Sequence, residues 1–405
     1  MLYFSHIPKI SVLQNLLSSF SEPFAFFIDF NNNVVSLYDE KRLLNLIGSF
    51  DSEGLRNLLT PLIEQTLLLL KGFPQSKVIL HLESGRSLYH QRIRASYKLD
   101  RQYTWTMLTP KQVETFREML KLLKEIVTEL FHLFPRTHVV HLQFLEADFI
   151  PYYVTSRQLL PNHLSISFSS DKDLFQQLSL DNFLIQIRQL PSIKDQRKSY
   201  ITKKTAVYAF TNKEDFLHLE FVPEESRMFV RKILVSWLPA VLAIAGDSDE
   251  FKGVPRLGYT SIYTALIKYL HKLSDGFKNL ELIAKFDLTK TTCENRIETF
   301  HKLLEELVEA NKRYKVWQQV PELYELVLQN FKLADFECLS CYVDKIPETK
   351  QYIEKRVSDE STIDTTIFKQ ALKELLNIKD TSTLDHILSL YDQVAGSDFS
   401  DNDLF

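Results

Sequence analysis

Acidic residues recur where short apolar runs stop. Phe24-Ala-Phe-Phe-Ile-Asp29 ends on Asp29, and Lys77-Val-Ile-Leu-His-Leu-Glu83 ends on Glu83. His138-Val-Val-His-Leu-Gln143 runs into Phe144-Leu-Glu146-Ala-Asp148, and Leu164-Ser-Ile-Ser-Phe168 runs into Ser169-Ser-Asp171-Lys-Asp173. Asp249 follows an apolar stretch expected as one helix, Phe229 to Ala245. Carboxylates gathered in one place raise each other's pKa and repel unless a cation sits among them. Oxygen donors of this kind suit hard divalent ions, Mg²⁺ or Mn²⁺, rather than zinc. An acid beside a strand end also serves as a helix cap, so the argument for a site rests on their number and order.

The elements that must position these acids are legible from their periodicity. The four runs are β-branched or continuously apolar and read as strands, of the buried kind found in parallel sheets. In such sheets, sites form beyond the carboxyl ends of the strands. Between them lie amphipathic helical patterns: an adapter helix within 1–22, a helical stretch over 40–73, and a long helix from Pro110 to Phe134. A helix is expected from Leu174, and weaker strands at Phe183–Ile187 and Thr205–Phe210.

After Glu83, Gly85 opens a polar segment carrying Arg86, Arg92, Arg94, Lys98 and Arg101, with Tyr89 and Tyr97 among them. Cations there suit phosphates and the rings suit bases or sugars, although a basic helix is also an ordinary solvated face. Further on, Lys252-Gly253-Val254-Pro-Arg256-Leu-Gly258-Tyr-Thr260 reads as a glycine turn between two helices, whose free amides would seat a phosphate.

The chain has 405 residues, 45% hydrophobic and 25% charged, with a formal charge of −4. That is an ordinary globular composition, large enough for two or three units, and it does not suggest a protein that wraps nucleic acid all over. No signal peptide or membrane-length apolar run is evident, so no membrane association is expected. Cys293, Cys338 and Cys341 fit free thiols in a reducing compartment; Cys338-Leu-Ser-Cys341 has half of a zinc or redox spacing without a second pair. The acidic end, Asp398 to Phe405, reads as a solvated terminus.

Taken in order, these pieces resemble the flap endonuclease and 5′-3′ exonuclease family of PIN-like nucleases, especially bacteriophage RNase H-type 5′ nucleases, over residues 24–270. The resemblance rests on Ile28-Asp29-Phe-Asn-Asn, Glu83 followed by Arg92, Arg94, Tyr97-Lys98 and Arg101, Glu146-Ala-Asp148-Phe149, Ser169-Ser-Asp171-Lys-Asp173-Leu-Phe-Gln-Gln-Leu178, and Gly246-Asp-Ser-Asp249 through Gly258. It implies an α/β PIN-like fold of the flap endonuclease type: a mainly parallel central sheet flanked by helices, then a helix-hairpin-helix and an additional, mostly helical C-terminal region. The divisions would be 1–245 for the nuclease domain with an arch near 84–110, 246–275 for the DNA-binding hairpin, and 276–405 for the extension.

The resemblance further implies two ions, Mg²⁺ or Mn²⁺, held by Asp29, Glu83, Glu146, Asp148, Asp171, Asp173 and Asp249. Lys98, Arg94 and Arg101 would act on the scissile phosphate. Arg86, Arg92, Tyr97, Lys252, Gly253, Val254, Arg256, Gly258 and Thr260 would contact nucleic acid, with K⁺ at the hairpin. The substrate would be DNA with a 5′ flap or an RNA–DNA hybrid, cleaved by a monomer in the cytoplasm (the host's, if phage-encoded) during phage DNA replication. A replication protein would dock on the C-terminal region. The sequence departs from the family pattern at Phe149, where a second aspartate is expected and a ligand of the second ion would be lost. Glu83 stands for an Asp, Arg256 for a glycine, and one residue is missing before Gly253. Two other classes remain open on those departures: a binding module for branched DNA with little cleavage, and an interaction protein acting through its helical C-terminal region.

Overall fold

The computed structural model describes residues 10–31, 52–97, 109–169, 173–180, 183–187, 222–247, 250–359, 365–376 and 381–400. The expected strand at Thr205–Phe210 lies outside them. The chain opens with α1 (Ile10–Leu17), β1 (Phe24–Asp29), α2 (Ser52–Gly72), β2 (Lys77–Ser84), α3 (Leu88–Ile93), α4 (Pro110–Phe131) and β3 (Thr137–Gln143). It continues with α5 (Ile150–Ser156), β4 (Leu164–Phe168) and β5 (Phe183–Ile187).

These five strands form one sheet in the order β3-β2-β1-β4-β5, and every pairing is parallel. The chain winds outward from β1 to β3, then crosses back to lay β4 on the other side of β1. The order therefore reverses between β1 and β4, which is where parallel sheets open a crevice beyond their carboxyl ends. Both faces of the sheet are covered, as its continuous apolar strands require. Phe24, Phe26 and Ile28 of β1 point into one core with α1, α2 and α4, whereas Ala25 and Phe27 point into another with α5. Asp29 takes the second face by the two-residue alternation of a strand.

The long helix α4 starts at a capping box, in which Thr109 and Gln112 satisfy each other's backbone amides and Pro110 occupies the first helical position. The helix expected from Leu174 is a single 3₁₀ segment, Asp173–Ser179.

The apolar stretch expected as one helix is α6 (Glu224–Ser236) and α7 (Leu238–Ala245), bent by 45° at Trp237. Pro239 at the start of α7 cannot continue the hydrogen-bond ladder of α6, and the Trp237 indole N–H is drawn to the Phe286 carbonyl at 2.8 Å. Among the described residues no single helix is long and apolar enough to cross a membrane. The side chains of α6 and α7 instead fill a third core.

A two-stranded ribbon, β6 (Gly246–Asp247) with β7 (Phe251–Lys252), leads to α8 (Tyr259–Leu273). Gly246 has φ +84°, and a Cβ there would sit 2.3 Å from the Gly253 nitrogen. A Cβ on Gly253 would in turn meet the Ala245 carbonyl carbon at 2.2 Å. Only glycine allows the two backbones to cross this closely.

The rest is helical: α9 (Arg296–Asn311), α10 (Tyr324–Ala334), α11 (Phe336–Asp344), α12 (Pro347–Ser358), α13 (Thr365–Leu376) and α14 (Thr381–Ser400). These helices enter the three cores already named. Phe368 and Tyr391 of α13 and α14 pack under the sheet, Leu339 and Ile353 of α11 and α12 cover its other face, and Phe300 and Phe331 of α9 and α10 join α6 to α8. Arg296 and Asp335 form a fully buried pair at 2.7 Å. Arg157, just beyond α5, binds Glu337 at 3.0 Å and Asp344 at 2.7 Å.

The cysteines depart from the free thiols expected of them: Cys293 and Cys341 are joined by a disulfide, with Cα atoms 5.6 Å apart. Cys338 remains a thiol. Burial pushes its pKa up, and Asp335 beside it adds to the effect, so it is no nucleophile.

Candidate metal centre

The carboxyl edge of the sheet brings two of the expected acids together with an unexpected base. Asp29 ends β1 and pairs in register with His81 of β2, so both side chains leave the sheet on the same face. Asp148 arrives from the turn after β3. One donor atom from each of Asp29, His81 and Asp148 lies within 4.8 Å of the others. Asp29 and His81 are buried, and Asp148 is half-buried and opens the group to solvent. Ser169, immediately after β4, donates its hydroxyl to Asp29 Oδ2 at 3.1 Å across the point where the strand order reverses.

His81 is the member of this group that the sequence reading missed. Burial pulls its pKa down to about 3, and the Ala147 backbone beside the ring opposes that shift without cancelling it. It is therefore neutral, with a lone pair to give. Its signal was a polar residue inside the apolar run Val-Ile-Leu-His-Leu, two residues before an acid on the same strand face.

Glu83 shares that face. Its Oε2 accepts the Ala147 amide at 2.9 Å, fixing the turn that carries Glu146 and Asp148. Lys124 of α4 lies close by. It belongs to the buried stripe of its helix, and its ammonium donates to the Glu83 carbonyl. Burial lowers the Lys124 pKa, whereas Glu83 and Asp29 act to hold its charge. A lysine in an otherwise apolar stripe was the sign of it.

Glu146 faces a second cluster. Its Oε2 stands 3.8 Å from His90 Nε2 and 3.5 Å from the Tyr97 hydroxyl. That hydroxyl donates to Glu250 at 2.9 Å, and the Tyr97 ring stacks on His90 with centroids 4.6 Å apart. His90 Nε2 also meets the Leu333 carbonyl at 3.1 Å. A carbonyl only accepts, so Nε2 carries a proton, while Nδ1 lies 2.6 Å from the Ser87 hydroxyl. Tyr97 is thus buried in a polar cluster rather than offered for stacking.

The remaining expected residues are spread along this edge and beyond it. Asp173 begins the 3₁₀ segment, and Asp171, Asp249, Lys98 and Arg101 lie outside the described residues. Arg94 donates to Asn330 at 2.8 Å and lies over the Phe251 ring at 5.9 Å. Arg86 and Arg92 are exposed, Arg92 with its guanidinium 5.6 Å from the Tyr342 ring centre. At the ribbon, Lys252, Arg256, Gly258 and Thr260 are exposed, Gly253 is half-buried, and Val254 is buried. Arg256, at the glycine position of the expected motif, has φ +68°. Phe149, where a second aspartate was expected, is fully enclosed and meets Tyr153 edge-on at 5.7 Å.

Beside the centre, between the ends of β2 and β3 and the flank of α4, lies an open cavity of about 760 Å³. Arg86, Arg117, Lys121 and Lys124 line it, with Glu125, Glu129 and His141. Phe144 stands on its rim, 51% exposed, at φ +58°. A bulky residue in the left-handed region is uncommon and is a mark of functional or strained positions.

No protein-family model and no curated protein matches the chain. Among solved structures it is similar to the T5 5′-exonuclease with divalent zinc bound, at 17% identity and a TM-score of 0.49, over 84% of this chain and 99% of that one. It is also similar to the bacteriophage T5 flap endonuclease in a pseudo-enzyme–product complex with DNA and metal ions, at 17% identity and a TM-score of 0.46, over 87% and 99%. A third likeness is to the catalytic core of Rad2 in complex with DNA substrate, at 14% identity and a TM-score of 0.37, over 92% and 93%. All three are faint in identity and in superposition. The chemical reading therefore stands on the residues of the centre.

Proposed function

We propose that the protein is a divalent-metal-dependent 5′ nuclease of the flap endonuclease type, acting on DNA with a 5′ flap or on RNA–DNA hybrids. The observation that carries this reading is the meeting of Asp29, His81 and Asp148 at the reversal point of a parallel sheet. The acid-bearing motifs, in the family's order along the chain, supply the class of substrate.

The residues fit an ion: two carboxylates and a neutral imidazole converge, and Asp148 leaves a way in. Bound by these residues, a divalent ion would acidify a water and offset charge on the scissile phosphate. Asp29 and Asp148 hold the site. Glu83 keeps Asp148 in place through the Ala147 amide. Lys124 offsets the acids from beneath. Arg86, Arg117 and Lys121 draw the phosphate backbone into the cavity without reading bases. Phe144 offers its ring to an unpaired base at the rim. The exposed start of α8 at Gly258 and Thr260, with Arg256 two residues before it, suits the phosphates of a duplex.

Phe149 favours a second reading, binding of branched DNA with little cleavage, because it takes one carboxylate away from the expected pair. A labelled 5′-flap substrate with Mg²⁺ or Mn²⁺ separates the two. Cleavage by the native chain and its loss in Asp29→Asn/Asp148→Asn is the expected result. Equal cleavage by both proteins rejects a role for this centre, and tight binding with no cleavage by the native chain favours the second reading.

A further inference from the structure

The donors at the sheet edge are not all oxygen. His81 is 1% exposed, and although the Ala147 backbone lies near its ring, neither ring nitrogen reaches a well-formed hydrogen bond. Buried polar atoms are nearly always paired, and leaving one unpaired costs roughly 1–3 kcal/mol. A histidine held this way in mid-strand is explained if a ligand that is not part of the chain completes it. Its register partner is Asp29, and one of its nitrogens faces carboxylate oxygens of Asp29 and Asp148 within 4.8 Å. The one other three-residue group of this kind among the described residues, Cys293, Glu337 and Cys341, contains the disulfide and offers no thiolate.

We propose that His81 is a direct ligand of the ion, and that the centre is a mixed nitrogen and oxygen site built for a divalent first-row transition ion in preference to Mg²⁺. This rests on the metal-dependent reading of the same centre. Mg²⁺ keeps oxygen and water ligands and gains little from an imidazole, whereas transition ions gain from nitrogen donors. The balance of charge agrees: two carboxylates neutralise a divalent ion and the imidazole adds none. Glu83 is not one of the three converging residues, and its Oε2 accepts the Ala147 amide. It is a positioning residue.

The test uses the full chain, stripped of metal by chelation and loaded with Mn²⁺. Pulsed paramagnetic resonance on the native protein should show ¹⁴N coupling from a directly bound imidazole, and His81→Gln should lose it. Titration should show Mn²⁺ affinity falling by about tenfold or more in His81→Gln, about 1.4 kcal/mol, with Mg²⁺ affinity little changed. Bound Mn²⁺ without nitrogen coupling, no binding of Mn²⁺, or unchanged Mn²⁺ affinity in the variant each overturns the proposal. If the variant does not fold, the native spectrum alone decides. Flap cleavage by a native protein that shows no nitrogen coupling overturns the ligand and leaves the nuclease reading standing. Nitrogen coupling in a protein that cleaves no flap supports the ligand and removes that reading.

Discussion

Arg94 and Asn330 meet at 2.8 Å, guanidinium to amide oxygen, across 236 residues of sequence. The amide nitrogen of the same asparagine donates to the carbonyls of Ala243 at 3.0 Å and Lys252 at 2.9 Å. One fully buried side chain therefore ties together the basic segment after β2, the end of α7, the glycine ribbon and α10. Arg94, expected to act on phosphate, gives a donor to this joint, and burial lowers its pKa.

Asn330→Leu keeps the volume and removes every one of those bonds. Two carbonyls and a guanidinium lose a partner at once, and each unsatisfied buried group costs roughly 1–3 kcal/mol. Urea unfolding should show a loss of at least about 2 kcal/mol. Amide exchange should quicken first in α3 and the ribbon, which the asparagine clamps. An unchanged midpoint would mean that the joint contributes nothing.

That clamp marks where sequence reasoning reached its limit. The strands were legible because Phe24–Asp29 and Lys77–Glu83 are apolar on both faces, and their terminal acids pointed to the right edge. Their partners were not, because pairing between Asp29 and His81 depends on strand order, which no local pattern encodes. Glu146 and Asp148, two residues apart, were both expected to hold metal; the turn after β3 sends the first to Tyr97 and the second to His81. Residues 276–405 were read as an extension, and no local periodicity could have revealed that Phe368 and Leu339 lie in the same cores as the sheet. The disulfide was equally hidden, since 48 residues separate its cysteines.

Histidine burial sets a dependence on acid. His138 of β3 bonds the Arg356 carbonyl through Nδ1 at 3.0 Å, and burial, helped by Lys77, pulls its pKa down from 6.5 to about 4. The unfolded chain takes the proton more readily, so this stability is fully present above pH 6.5 and is lost as pH falls from there towards 4. Between those limits the loss approaches about 1.4 kcal/mol per pH unit for this one group. Other buried histidines act in the same direction. The measurement is thus the difference between native protein and His138→Gln, whose unfolding free energy should fall less steeply over pH 6.5 to 4. Parallel profiles would refute it.

Phe144 should matter to binding and not to folding. Its ring is half in solvent, and its strained backbone is secured by hydrogen bonds to Ser84 and Leu88. Phe144→Ala should weaken binding of a single-stranded oligonucleotide by about 1–3 kcal/mol, the usual worth of one aromatic stacking partner. Phe144→Gly relieves the left-handed strain and removes the same ring. Fluorescence anisotropy should show both variants weakened alike, with unfolding midpoints at or above the native value for the glycine. Undiminished affinity would take Phe144 out of the interface.

Phe149 separates a lost ligand from a structural replacement. If the position had merely lost its carboxylate, Phe149→Asp would restore an acid to the centre and tighten Mn²⁺ binding. The ring, however, is fully buried against Tyr153 in the core that also holds Ile150 and Leu174, while the neighbouring Asp148 is half-buried. An aspartate there would leave a cavity and bury an unpaired charge, and removing a buried phenylalanine alone costs about 3–5 kcal/mol. Phe149→Asp should therefore unfold well below the native temperature and gain no Mn²⁺ affinity, whereas Phe149→Leu should stay folded and bind Mn²⁺ as the native chain does. A folded Phe149→Asp with tighter Mn²⁺ binding would place the side chain at the centre after all. The turn would then be able to present two acids at once, as the sequence pattern alone had implied.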